Sequence, residues 1–357
     1  MRPSALAQPG ARAPGRLSRL NRLRPKRGTM AKASIAVSAI RVPSVSPRRG
    51  VAEVAGVEWP EKGLCREAFI DQVSSSGIVH YRDLPWRHID DPYAVLVSEV
   101  MLQQTQVARV ERFWRRFLGA FPTVDALAAA SASDVLEMWQ GLGYNRRALS
   151  LKRAADICSH DMGGALPDTY EGLVALPGVG PATAAGVMAF AHQQPGVYLE
   201  TNVRAVCLHE LFPHEERVPD RVLEPLVADV CPPAPAPGVR IAHPDPLASP
   251  RDWYYAFLDY GAYLKSTVAN PSRRSSHYAR QSAFEGSRRQ KRSWIVRRVL
   301  AADAEGGVAV RAVSLELDRA EREAGREAVD EGLFSSILDD LVSEGFFRRD
   351  GDVLRPC

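Results

Sequence analysis

The stretch ALPGVGPATAAGVMAFAHQQPGVYLETN, residues 175–202, carries two signals in tandem. Leu176-Pro177-Gly178-Val179-Gly180 breaks one helical pattern, and Pro181 falls at the first position of a new helix, where a missing amide costs nothing. Two glycines let the backbone turn sharply and come close to a ligand. The first amides of the new helix have no partner within it. Gly178, Val179, Gly180, Ala182 and Thr183 are therefore a candidate seat for an anion such as a phosphate. Beyond that helix and a Pro-Gly loop, a lone carboxylate, Glu200, stands just ahead of Asn202, which reads as an N-cap.

Around this stretch the chain runs to 357 residues, of which 45% are hydrophobic, enough for two domains and one well-buried core. No apolar run approaches the length of a membrane span, so no membrane partner is expected. The formal net charge of +4 is unevenly spread. Residues 1–50 hold 12 Lys and Arg and no acid, which leaves 34 bases against 42 acids in the remainder. An argument for nucleic acid must then rest on local patches, and Ser266–Arg298 offers one, with nine bases and one acid. The five cysteines are scattered without a CxxC pair, which disfavours a zinc ribbon or a disulfide framework and suits a reducing cytosol.

Residues 1–55 are rich in Arg, Pro, Ala and Ser and read as a disordered basic extension. Two other readings are a start placed ahead of Met30 and a non-specific nucleic-acid arm; the composition also has something of a transit peptide. From Trp59 the pattern becomes that of a folded domain. Asp91-Pro92 is an N-cap with its first-turn proline, and Leu96, Val100, Val107, Val110, Trp114 and Phe117 predict one helix over 93–118, its apolar stripe interrupted by Gln103. Shorter helices are expected near 124–130, 134–140 and 144–160, then after Asn202, with a closing helix over 253–265. Residues 231–250 are Pro-rich and read as a surface loop. After an indistinct basic segment, helical patterns recur around Trp294–Leu300 and Leu333–Leu341. Two short strands then meet at Asp350-Gly351. This divides the chain into a basic extension (1–55), a helical domain (56–286) and a small winged-helix-like α+β domain (287–357).

A second strong stretch is Ser98-Glu99-Val100-Met101-Leu102-Gln103-Gln104-Thr105-Gln106. With Leu84-Pro85-Trp86-Arg87, Gly141-Leu142-Gly143-Tyr144 and the LPGVG hairpin, it closely resembles the adenine DNA glycosylases of the helix-hairpin-helix superfamily, which includes endonuclease III. The resemblance spans roughly residues 84–265. It implies an all-α, two-lobed helix-hairpin-helix DNA glycosylase domain that excises a mispaired base, most simply adenine. A mispaired thymine, a damaged pyrimidine, or DNA binding without catalysis are the alternatives. The implied partner is double-stranded DNA with a mismatch or lesion, met by a monomer in the cytoplasm at the nucleoid.

Cutting an N-glycosidic bond needs a proton for the departing base and negative charge beside the sugar as it becomes an oxocarbenium ion. Glu99, on a largely apolar helix, is the candidate general acid, since burial would keep it protonated. By its resemblance to the family's motif, Glu200 stands for the aspartate used at the sugar. It is one methylene longer, with Asn202 placed to orient it. Gln103 and Gln104 are candidate DNA contacts, Gln104 resembling the family's intercalating glutamine and Tyr144 its wedge beside the partner base. Lyase-type relatives use a lysine where this chain has Ala182, so the reaction is expected to stop at an abasic site. Many relatives hold an iron–sulfur cluster with four cysteines after the closing helix. Residues 267–278 contain none, so no cluster and no metal are expected. The family's domain for sensing the opposite 8-oxoguanine has no evident counterpart.

Overall fold

The computed structural model describes residues 56–237, 244–280 and 283–357. The basic extension 1–55 lies outside them, as do residues 238–243 of the Pro-rich stretch. In chain order the helices are α1 (Arg66–Val79), α2 (Pro92–Leu102), α3 (Val107–Ala120), α4 (Val124–Ala129), α5 (Ala132–Trp139), α6 (Arg146–Asp161), α7 (Tyr170–Val174), α8 (Pro181–Phe190), α9 (Thr201–Glu210), α10 (Asp220–Asp229) and α11 (Pro250–Thr267). After them come α12 (Arg288–Leu300), β1 (Val308–Ala309), α13 (Val310–Glu323), α14 (Glu331–Ser343), β2 (Phe347–Asp350) and β3 (Val353–Pro356). The described chain is thus mostly helical, with a small sheet near its C-terminus.

The site is organised by α2. Asp91 caps it by accepting from the amides of Tyr93 (3.0 Å) and Ala94 (3.4 Å), and Pro92 fills its first turn. Every residue from Tyr93 to Met101 is buried. A helix enclosed on all faces must satisfy its polar side chains internally. Ser98 does so by donating to Val95 O at 2.7 Å. α2 packs on α3, α6 and α8, while α8 also meets α11, and α11 lies along α1 and α9. The Leu84–Arg87 motif pins the segment before α2 to α11. Buried Arg87 donates twice to Asp259 (2.7 and 2.8 Å) and lies 4.4 Å from the Tyr255 ring centroid, while Trp86 meets Trp114 edge-on.

The single helix expected over 93–118 is two. α2 ends at Leu102, Gln104 takes a left-handed backbone (φ 55°), and α3 starts at Val107. The apolar spacing survives the break because both helices turn their apolar faces into the same core. The element α1 escapes the sequence pattern because its buried face is built of small residues as well as Phe69 and Val73. At Gly77 it approaches α11 so closely that an added Cβ would lie 2.3 Å from that of Ala256.

The three strands form one antiparallel sheet in the order β1-β3-β2, with Asp350 opposite Val353 across a tight turn at Gly351-Asp352. Elements α12, α13 and α14 pack around it through Ile295, Val299, Val313, Leu317, Ile337 and Leu341, all buried. The sequence reading places neither β1, only two residues long, nor α13, although α13 carries a helical stripe of Val310, Val313 and Leu317. Glu344, just after α14, accepts from Arg146 of α6 and from Arg292 of α12 (2.6 Å), which fastens the C-terminal elements to the helical part.

Candidate active site

Glu99 sits on the enclosed helix α2 with 9% of its surface exposed. Its carboxylate accepts from the Tyr198 hydroxyl at 3.0 Å. Burial pushes its pKa up to about 8; the Tyr198 hydrogen bond lowers it and the charge of Glu200 adds a smaller upward push. The side chain is therefore mostly protonated at neutral pH. Space for it comes from Gly186 in α8, where a Cβ would stand 2.4 Å from Glu99 Oε2 and 3.0 Å from the Tyr198 ring. A glycine inside a well-formed helix is paid for only where something must come this close.

Glu200, and not Asn202, caps α9. Its carboxylate accepts from the amides of Asn202 and Val203 (3.0 Å to the latter) and from Asn202 Nδ2 (3.2 Å). Asn202 lies inside the first turn and steadies Glu200 from there. The Glu200 side chain folds back onto its own helix start, as the shorter Asp91 does at α2. Burial raises the Glu200 pKa, opposed by Lys265 of α11 and by the three donors. Gly261 brings α11 against this turn, since a Cβ there would meet Asn202 O at 2.4 Å.

The segment between α2 and α3 is shaped by Arg147. Its guanidinium donates to the carbonyls of Val100 (2.7 Å), Met101 (3.1 Å), Gln103 (2.6 Å) and Gly143 (3.0 Å), and to Thr105 Oγ1 (3.2 Å). One side chain thus satisfies the open carbonyls at the end of α2 and bridges them to the Gly141–Tyr144 turn. Gln103 donates to Thr183 Oγ1 at 3.0 Å, linking α2 to the start of α8. Gln104 is exposed, and Tyr144 has the same unusual backbone, φ 51°. Such conformations cost on the order of 1–3 kcal/mol each and persist where surroundings impose them.

In the hairpin, Gly178 has φ 77° and a Cβ there would meet Ser150 of α6 at 2.5 Å. Val179 is buried and anchors the turn. Helix α8 begins at Pro181 from Gly180 without any side-chain cap. Ala182 is exposed, while Thr183 turns inward to Gln103. The sequence-named residues therefore gather in three adjoining places: Glu99 with Glu200 and Asn202, the Gln103–Gln104 and Tyr144 turns, and the hairpin.

Sequence reasoning missed Tyr198, Lys265, Arg147 and Gly186. Tyr198 was within reach, because residues two apart on an extended segment face the same side, and it precedes Glu200 by two. After α11 the described residues 267–278 carry no cysteine. Instead Arg274 donates to the carbonyls of Leu208, Phe212 and Glu215 (3.2 Å to the last), and Asn270 caps the short turn Pro271–Arg274. Among the described residues no group of three or more potential metal ligands occurs.

Residues 97–233 match the family described as HhH-GPD superfamily base excision DNA repair protein. The matched segment holds Glu99, Glu200, both glutamines, Tyr144 and the hairpin together. Over part of its length the chain is similar to proteins named adenine DNA glycosylase. It is 47% identical over 127 residues to the adenine DNA glycosylase of Mycobacterium tuberculosis (strain CDC 1551 / Oshkosh), an alignment covering 35% of this chain and 42% of that one. To the enzyme of the same name from Mus musculus it is 38% identical over 174 residues, covering 46% of this chain and 32% of the mouse protein. The chain thus spans less than half the length of these curated relatives.

Proposed function

We propose that this protein is a monofunctional DNA N-glycosylase of base-excision repair, hydrolysing the N-glycosidic bond of a mispaired base in duplex DNA, with adenine the base that its relatives favour. The observation that carries this reading is Glu99, a carboxylic acid held protonated to about pH 8 inside an otherwise apolar helix. No packing need explains an acid there, whereas a departing base needs a proton. Glu99 gives its proton to the base, and the bond to the sugar breaks with the electron pair leaving on that base. Glu200, oriented by Asn202, stabilises the oxocarbenium ion that remains, and water completes the hydrolysis. Gln104 fills the hole left by the flipped nucleotide, beside Tyr144, and the amides of Gly178, Gly180, Ala182 and Thr183 grip a phosphate. Ala182 offers no amine, so the product is an abasic site without strand cleavage.

The same reading makes residues 56–286 the glycosylase domain and 287–357 a winged-helix-like one. The order α12-β1-α13-α14-β2-β3, with an antiparallel three-stranded sheet, supports this. It also implies a monomer, working at the nucleoid without an iron–sulfur cluster.

A panel of mismatched and lesion-bearing duplexes, incubated with the protein and then treated with hot alkali, tests the reading. Strand breaks are expected only after alkali, strongest at adenine, and borohydride should trap no covalent complex. Tight binding to every duplex with no excision from any would overturn it.

A further inference from the structure

Helix α11 comes closest to the start of α9 at Gly261, where a Cβ would lie 2.4 Å from Asn202 O. Residues four apart share a helix face, so Lys265, one turn further on, stands on the same side, toward Glu200. Basic residues suit the last turn of a helix because they answer its negative end, but a lysine there for that reason alone keeps its water. Lys265 is instead half-buried. Burial lowers its pKa, and the charge of Glu200 is the largest influence raising it again. In return, Lys265 is the first influence that opposes the burial of Glu200. Among the described residues Lys265 makes no ion pair and no hydrogen bond.

The other cations around this corner are already engaged. Arg204 of α9 donates to both oxygens of Asp220 (2.9 and 2.6 Å), and His277 lies 3.3 Å from the same carboxylate. Arg82, which faces Lys265 from the segment before α2, is bound to Asp259 and to Leu258 O, and Arg87 is bound to the same Asp259. Arg274, in the turn packed on α9, is taken up by the carbonyls of Leu208 and Phe212. The remaining titratable groups facing Glu200 are Glu99 from α2 and Tyr198 from its own segment. Two carboxylates in one buried place raise the cost of charge on each other, so something must settle which of them is ionised. A proton on Glu99 with the charge on Glu200 is the division that the reaction needs. The reverse would leave no acid for the base and no anion for the sugar.

We propose that Lys265 is a positioning residue of the reaction, whose ammonium keeps Glu200 as the ionised member of the carboxylate pair while Glu99 keeps the proton. The proposal rests on the glycosylase reading above. The positive charge of Lys265 itself disfavours an oxocarbenium ion, so its benefit lies where Glu200 would otherwise take up a proton, on the acid side of the pH profile.

The test has two arms. Single-turnover excision is measured for the unmodified chain, Lys265→Met and Lys265→Arg at pH ~5 and pH ~7; in Lys265→Met the ratio of the neutral to the acid rate should rise by about tenfold or more, the loss falling at the lower pH. Lys265→Arg should restore the unmodified ratio, because a guanidinium stays charged. The second arm needs no excision. Glutamate labelled at its carboxyl carbon is followed by NMR, with the Glu200 resonance assigned by its loss in Glu200→Gln. Its titration should move to higher pH in Lys265→Met and return in Lys265→Arg. An unmoved titration, or a rate lost equally at both pH values, would overturn the proposal while leaving the glycosylase intact; weaker duplex affinity beside an equal loss would assign Lys265 to a DNA phosphate instead. A moved titration in a chain that excises from no duplex would overturn the glycosylase reading and retain the pairing of Lys265 with Glu200.

Discussion

Glu99→Gln isolates the cost of the buried acid and needs no knowledge of the substrate. Glutamine keeps the shape of the side chain and can accept from Tyr198, but it does not titrate. In the unfolded chain Glu99 ionises near the ordinary value of 4.5, whereas burial in the fold holds it protonated to about 8. Below the lower value both states carry the proton and folding is unaffected. Between the two, the unfolded chain releases a proton that the folded one keeps, so stability falls by about 1.4 kcal/mol per pH unit and levels off above the folded value. From pH ~5.5 to ~7.5 the unmodified protein should therefore lose roughly 2–3 kcal/mol relative to Glu99→Gln. In a fold of this size that corresponds to a relative Tm change on the order of 3–5 °C. Thermal melts of both proteins at the two pH values measure it, and the comparison cancels every other titrating group. A stability difference that stays flat across this window would refute the reasoning, because Glu99 would then not be a buried protonated acid. The same variant should excise about 10²–10⁴-fold more slowly in single turnover while binding duplex unchanged.

Three further variants probe the supports of that acid. Tyr198→Phe removes the donor that favours the carboxylate, so the Glu99 pKa rises and the alkaline limb of the excision–pH profile should move upward; a downward move would show the hydrogen bond has the opposite effect. Gly186→Ala puts a methyl group against Glu99 Oε2 and should slow excision at least tenfold, with a destabilisation of about 1–3 kcal/mol read from denaturant melts; wild-type excision in this variant would mean the α8 contact is not formed. Arg147→Lys keeps the charge but cannot reach four carbonyls and a hydroxyl at once. Excision should drop by roughly tenfold or more through loss of positioning, with duplex affinity changed far less.

The parts of the fold that could be read in advance are those with one cause acting locally. Asp91-Pro92, Pro181 after two glycines, and the Asp350-Gly351 turn each specify backbone geometry within a few residues, and each stands where the sequence places it. The break between α2 and α3 was hidden because apolar spacing reports only which face is buried. It does not report whether the backbone carrying that face is continuous. What ends α2 is Arg147, far along the chain, and a guanidinium that gathers carbonyls from another element leaves no periodic trace. The same holds for Asn202, whose residue type is right for an N-cap. Glu200 takes that place because the backbone is extended there (φ −113°, ψ −176°) and the helix starts at the next residue, a choice settled by conformation and not by residue propensity.

The candidate site also shows why its carboxylates could be named from sequence while their environment could not. A glutamate on an apolar helix is a visible anomaly. Its pKa, however, is raised by burial, with α8 close against it at Gly186, lowered by the Tyr198 hydrogen bond and raised further by Glu200, partners that lie far from it in sequence and on different elements. Each of these partners has a structural cost of its own. Gly186 weakens α8, Tyr198 buries a hydroxyl, and Glu99 itself destabilises the fold at neutral pH by the amount worked out above. These costs fall on the same few ångströms of the molecule, where local preference for stability yields to a chemical requirement. Packing alone would replace Glu99 with leucine and Gly186 with alanine. That the chain does neither is the strongest physical argument, independent of any resemblance, that α2 is built to deliver a proton.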